Sequence, residues 1–156
     1  MKTIVLAALL AALSSIDLAQ AQTEKWYPLS NDMYVMDTKD NDKIMLSAGI
    51  DTRDNEVSFR ILDLTGSTCK DGVVSKHESL PPYKINGKYI RILSICLNGS
   101  QLVAPETPEG QIYLHDQIMS GNIITIETNM GTPILHFKGA LPLSLLKKLK
   151  KANSAM

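Results

Sequence analysis

The feature that most restricts this chain is a two-residue hydrophobic alternation. Lys43–Ile50 puts Ile44, Leu46, Ala48 and Ile50 on one face, and Glu56–Leu62 puts Val57, Phe59 and Ile61 on one face with Ser58 and Arg60 opposite. A period of two belongs to a half-buried strand, because successive side chains of a strand point to opposite sides. Between the runs stands Asp51-Thr52-Arg53-Asp54-Asn55. Before them Met33–Met36 is followed by Asp37-Thr38-Lys39-Asp40-Asn41-Asp42. Asp and Asn suit turns because they bond their own backbone and tolerate left-handed conformations. The two acidic linkers nearly repeat, DTKDND and then DTRDNE, so this part reads as a three-strand antiparallel meander.

The rest of the chain is less regular. Gly66 to Tyr83 holds Gly66, Gly72, Pro81 and Pro82 and reads as loop, with a short strand at Val73-Val74. Asn86-Gly87 is a two-residue hairpin signal. It leads into Lys88–Leu97, which is apolar on both faces: Ile90, Ile92 and Cys96 on one, Leu93, Ile95 and Leu97 on the other. Such a strand is expected to lie centrally and to be covered on both sides. Thr107, Pro108 and Glu109 open a helix as cap, first residue and dipole partner, and Ser120-Gly121 closes it. A hairpin of Asn122–Thr128 and Ile134–Lys138 follows. The chain closes on an amphipathic helix with Leu143, Leu145, Leu146 and Leu149 on one arc. Lys147, Lys148, Lys150 and Lys151 fall mostly on the other. Leu145, Leu146 and Leu149 are expected to bury against the sheet and the lysines to stay in water. The expected fold is mainly β: an antiparallel β-sandwich or rolled sheet with a short helix over 107–120 and a C-terminal helix over 141–152.

The N-terminus carries an export signal. Lys2 is the basic start, Ile4–Leu13 is an unbroken apolar stretch, and Ala19-Gln20-Ala21 is the small-x-small pattern of a cleavage site. At helical rise that stretch covers about 15 Å, half of a hydrocarbon core, so it reads as a signal peptide and not as a membrane span. The expected organisation is a signal peptide over 1–21 and one domain over 22–156, periplasmic or secreted. In such a compartment Cys69 and Cys96, the two cysteines of the chain, are expected to form a structural disulfide. No metal-type spacing surrounds them.

Charge narrows the function. The chain has 16 basic and 16 acidic residues, which argues against nucleic acid as a partner. The balance hides an asymmetry: residues 22–71 hold ten acids and six bases, while residues 138–156 hold five lysines and no acid. Lys147, Lys148, Lys150 and Lys151, with Asp40, Asp42 and Asp54 of the acidic turns, are therefore the candidate partner-binding residues. The acidic turns also offer oxygen ligands for Ca²⁺, but they lack the glycine and distal glutamate of a helix–loop–helix calcium loop. His77, His115 and His136 share no ligand spacing and read as unpaired surface side chains. Met33 and Met36 read as packing residues before thioether ligands of copper. Glu106 and Glu109 read as helix-terminus charges. Asn98-Gly99-Ser100 has the form of a glycosylation sequon and reads as a turn. No nucleophile elbow, HExxH, phosphate loop or dinucleotide fingerprint is present. The expectation is a non-catalytic protein with no cofactor and no metal.

From Cys96 onward the chain runs through Cys96-Leu97-Asn98-Gly99, Leu114 through Ile118 with Ser120-Gly121-Asn122, the strand Ile123–Ile126, and Phe137-Lys138-Gly139 before a leucine-rich closing helix. In these residues it resembles the invasion-associated locus B family of exported bacterial proteins. Ser100 stands near where the family has a second cysteine, and Ala140-Leu141 where it has an aromatic residue. The resemblance implies a β-sandwich with an envelope or host-interaction role and no established enzyme activity; the expected mode of action is binding of a macromolecule, with a protein as the expected partner. The alternatives are a small periplasmic inhibitor or immunity protein against a cell-wall enzyme or toxin, and an envelope hydrolase. A concave pocket with a buried polar cluster would favour the hydrolase, a protruding ordered loop the inhibitor, and an exposed apolar surface an assembly role.

Overall fold

The computed structural model describes residues 25–51, 54–65, 69, 76–97, 99–128 and 134–154. The signal segment, the Val73-Val74 strand, Asn98 and the Thr52-Arg53 tip of the second acidic turn lie outside the described residues. Among the described residues the chain forms nine strands and two helices: β1 (Tyr27–Ser30), β2 (Met33–Asp37), β3 (Ile44–Asp51), β4 (Glu56–Asp63), β5 (Glu78–Ile85), β6 (Lys88–Leu97), β7 (Ser100–Pro105), α1 (Pro108–Met119), β8 (Ile123–Glu127), β9 (Leu135–Lys138) and α2 (Leu143–Ser154). The strands make one antiparallel sheet in the order β1-β2-β3-β4-β7-β6-β5-β8-β9. Of the two expected architectures, the rolled sheet is the one formed. Its roll brings the outermost strands together, so that the Trp26 indole N–H, just before β1, donates to the Gly139 carbonyl, just after β9, at 3.2 Å. Among the described residues, no helix is long and apolar enough to cross a membrane.

The meander is β2-β3-β4, with Ala48 opposite Tyr34 and Phe59, and Leu46 opposite Met36 and Ile61. These residues share the inner face, where they build the core with Ile85, Ile92, Ile126, Phe137, Leu114 and Leu149. Met33 and Met36 are an odd number of residues apart, so they point to opposite faces of β2 and cannot share a metal ion. Met36 is wholly buried.

Helix α1 crosses the inner face and links β7 to β8. Thr107 caps it by accepting from the Gly110 N–H at 3.2 Å, and Leu114 and Ile118 enter the core. Gly110 allows a close approach to the sheet: a Cβ there would stand 3.0 Å from the Ile90 side chain and 3.1 Å from Pro105. Helix α2 packs on β3 and β4. It begins two residues later than expected, because Pro142 disfavours the helical conformation at Leu141, which lies buried in the core before the first turn. Leu149 is 0% exposed, Leu145 and Leu146 are half-buried against the core, and Leu143 is 67% exposed. The expected leucine face is thus graded, with Leu149 at its centre.

Two strands depart from expectation. β5 runs through Pro81-Pro82, which reads as loop in the sequence. The pairing with β6 slips between Leu80 and Tyr83, and a bulge of this kind accommodates residues without an N–H for the ladder. β7 occupies Ser100–Pro105, for which the sequence suggested only a turn at its start. Its pairs Ile95–Leu102 and Leu93–Ala104 complete the sheet between β6 and β4. At Asn86-Gly87 both residues have positive φ, 45° and 82°, as a type I′ hairpin requires. Asn86 also exchanges hydrogen bonds with Thr125 of β8, donating its N–H to the carbonyl at 2.9 Å and accepting the N–H on Oδ1 at 2.7 Å.

The sulfurs of Cys69 and Cys96 are bonded, with Cα atoms 5.5 Å apart. The bridge ties the segment after β4 to the end of β6, and Cys69 is buried.

Candidate functional site

β6 is central, between β7 and β5, as its sequence implies. Its two apolar faces are treated differently. Ile90 and Ile92 are buried in the core, whereas Leu93, Ile95 and Leu97 on the outer face are only half covered. The expectation that both faces would be covered is therefore corrected: the outer face is the floor of a groove. Cross-strand pairing adds Leu102 and Ala104 of β7 to that floor, opposite Ile95 and Leu93. Ser58 and Arg60 of β4, Asp51, His77, Glu106 and Gln111 form the rim. The groove encloses about 470 Å³, within the range of ligand pockets, about 300–1,000 Å³.

The rim charges differ in how they are held. Glu106 accepts from the Arg91 Nε at 2.9 Å and is approached by the Ser79 hydroxyl at 3.5 Å. Asp51 is engaged in an interaction of its own. Gln111 donates Nε2 to the Pro105 carbonyl at 3.3 Å. Among the described residues the Arg60 guanidinium has no hydrogen-bond or ion-pair partner, although the Arg60 side chain lines the half-buried outer face of β4. Arg60 was legible only as the solvent side of an alternating strand. The signal for the groove itself was the second apolar face of 88–97.

The candidate residues named from charge do not converge. Asp40 lies at the β9 edge and Asp42 is exposed beside it. Asp54 accepts the Glu56 N–H at 3.0 Å and so closes its own turn. Lys150 is paired with Glu56 at 3.0 Å, while Lys147, Lys148 and Lys151 are exposed. Glu109 sits in the first turn of α1. None of these residues lines the groove.

Asp40 has a structural task. Its Oδ2 accepts the His136 backbone N–H at 2.7 Å and stands 3.1 Å from His136 Nδ1. The Thr38 hydroxyl lies 2.8 Å from the His136 carbonyl oxygen and 2.9 Å from Asp40 Oδ2. Both backbone groups that His136 turns away from β8 are thereby satisfied by side chains, and β9 is joined to the turn after β2. His136 faces outward as expected but is not unpaired. His115 too has a partner, with Nδ1 3.3 Å from Asp116.

Partial burial alone would raise the Asp40 carboxyl. The hydrogen bonds from the His136 N–H, Thr38 and the His136 ring, with the imidazole charge, outweigh it and hold the carboxyl below the ordinary aspartate value. The native state therefore binds fewer protons here than the unfolded chain. The stabilisation is complete above the unfolded aspartate pKa and is lost as pH falls through the lower native value. Asp40→Asn is expected to lose less stability than the wild type between pH 7 and pH 3, read from urea midpoints. Equal losses would show that this contact does not couple to folding.

No family profile, no curated protein and no solved structure matches the chain.

Proposed function

We propose that this is a non-catalytic exported protein of the bacterial envelope that works by binding a macromolecular partner, and that the outer-face groove is its binding surface. The observation that carries this reading is the groove itself: an apolar floor supplied by two neighbouring central strands, framed by polar and charged groups. A sheet normally buries such a face against a second layer or leaves it polar. Exposed apolar surface rimmed by polar residues marks interaction sites. The disulfide is in keeping with export, and the resemblance of the C-terminal part to exported envelope proteins points the same way. The lysine face of α2 is the weaker candidate, since Lys150 is already neutralised by Glu56 and the leucine arc serves the core.

Photo-crosslinking in the producing cells tests the assignment. A benzophenone side chain at position 104 is expected to give one discrete high-mass adduct, and the same probe at position 147 or 42 none. An adduct from position 147 without one from 104 would move the surface to α2. No discrete adduct from 104 would overturn the groove as the binding surface.

A further inference from the structure

We infer that the segment received by the groove presents a carboxylate to Arg60, so that the recognised chemistry is an extended peptide with an acidic side chain set among apolar ones. This rests on the groove being the binding surface proposed above. The argument begins with charge. A guanidinium beside an apolar floor loses part of its hydration, and such a group is normally matched by a carboxylate or by acceptors. The Arg60 guanidinium has no hydrogen-bond or ion-pair partner among the described residues. Of the nearby acids, Glu106 is committed to Arg91 at 2.9 Å, and neither it nor Asp51 pairs with Arg60. The guanidinium is therefore an unmatched cation on the groove, and its complement is an anion. A carboxylate fits the planar fork of arginine by two parallel hydrogen bonds.

The remaining groups favour a peptide over an alkyl chain. Leu93, Ile95, Leu102 and Ala104 alternate along two paired strands, at the spacing with which an extended chain presents its own side chains. Ser58 and Gln111 line the same groove. An alkyl chain would shield these groups from water and give nothing in return, whereas peptide N–H and C=O groups can pair with them.

Two dyes of one skeleton separate the claims. N-phenyl-1-naphthylamine is neutral, and 8-anilino-1-naphthalenesulfonate adds a sulfonate. At pH 8 both are expected to bind the wild type and to be excluded by Ala104→Trp, which fills the floor. Arg60→Gln is expected to weaken the sulfonate dye about tenfold and the neutral dye by less than about twofold, as loss of one charge-assisted pair implies. If neither dye binds, or if Ala104→Trp changes nothing, the groove reading fails and this inference with it. If both dyes bind, Ala104→Trp excludes them and Arg60→Gln leaves the sulfonate dye unchanged, only the inference about Arg60 fails.

Displacement of the bound sulfonate dye then identifies the anion's carrier. Acetyl-Val-Leu-Glu-Val-amide is expected to displace it at about one-tenth the concentration needed by the glutamine analogue, with the gap lost in Arg60→Gln. Displacement by decanoate and by neither peptide would overturn the peptide assignment in favour of a lipid carboxylate.

Discussion

Replacing Cys69 and Cys96 together by alanine is expected to lower the unfolding free energy by about 3–4 kcal/mol. The bridge closes a separation of 27 residues, and in the chain-entropy account a loop of that size removes about that much freedom from the unfolded state. The segment it anchors leaves the sheet after β4 and returns at β5, and the bond fastens the buried Cys69 within it to the end of β6. Guanidinium unfolding of the oxidised protein, the reduced protein and the double variant measures the effect. The two bridge-free forms should agree with each other and fall well below the oxidised form. Coincident transitions for all three would mean that the bridge has no hold on folding.

Truncating Leu149 to alanine is the second large effect, about 2–5 kcal/mol from lost transfer energy and the cavity left between α2 and the sheet. Leu149 has no exposed surface, Leu145 and Leu146 are half-buried, and Leu143 is 67% exposed. The costs are expected to fall in that order, with Leu143→Ala near zero. Lys147→Gln and Lys148→Gln should each stay within about 0.5 kcal/mol, as surface substitutions usually do. Thermal melts of the four leucine variants beside the two lysine variants test the ranking. If Leu149→Ala melts with the wild type while a lysine variant does not, the helix is held by its charges and the packing account is wrong.

These leucines also show how far periodicity reaches. The arc was visible in the sequence, and so were the β2-β3-β4 meander, the Asn86-Gly87 turn and the α1 cap, because each follows from spacing over a few residues. What stayed hidden depends on partners distant in the chain. β5 was masked by Pro81-Pro82, which become acceptable only because the pairing with β6 slips there. β7 is too short and too mixed to declare itself without β4 and β6 beside it. The groove was half legible: the outer face of β6 was apolar in the sequence, but whether a second layer covered it was not. Arg60 looked like any solvent-facing side chain of an alternating strand. Asp40 looked like a cation ligand or a docking charge. Its use as an acceptor for β9 depends on a residue 96 positions away, which no local pattern encodes.

That last contact bears on the order of folding. β2, β3 and β4 pair with sequence neighbours and can close within the short times typical of hairpins. The seal between the two ends of the rolled sheet cannot. It joins Asp40 to His136 and, on the same side, Trp26 to Gly139 across 113 positions. Loop closure must precede any gain from such contacts, so non-local pairings slow a β-protein and come late. Until the C-terminal hairpin arrives, the chain holds formed ribbons with two unfinished borders, and unfinished borders are what another copy can pair with. The Thr38–Asp40 corner therefore does more than add hydrogen bonds to the native state. By occupying the free N–H and C=O of His136, it ends the interval in which β9 could recruit a neighbour.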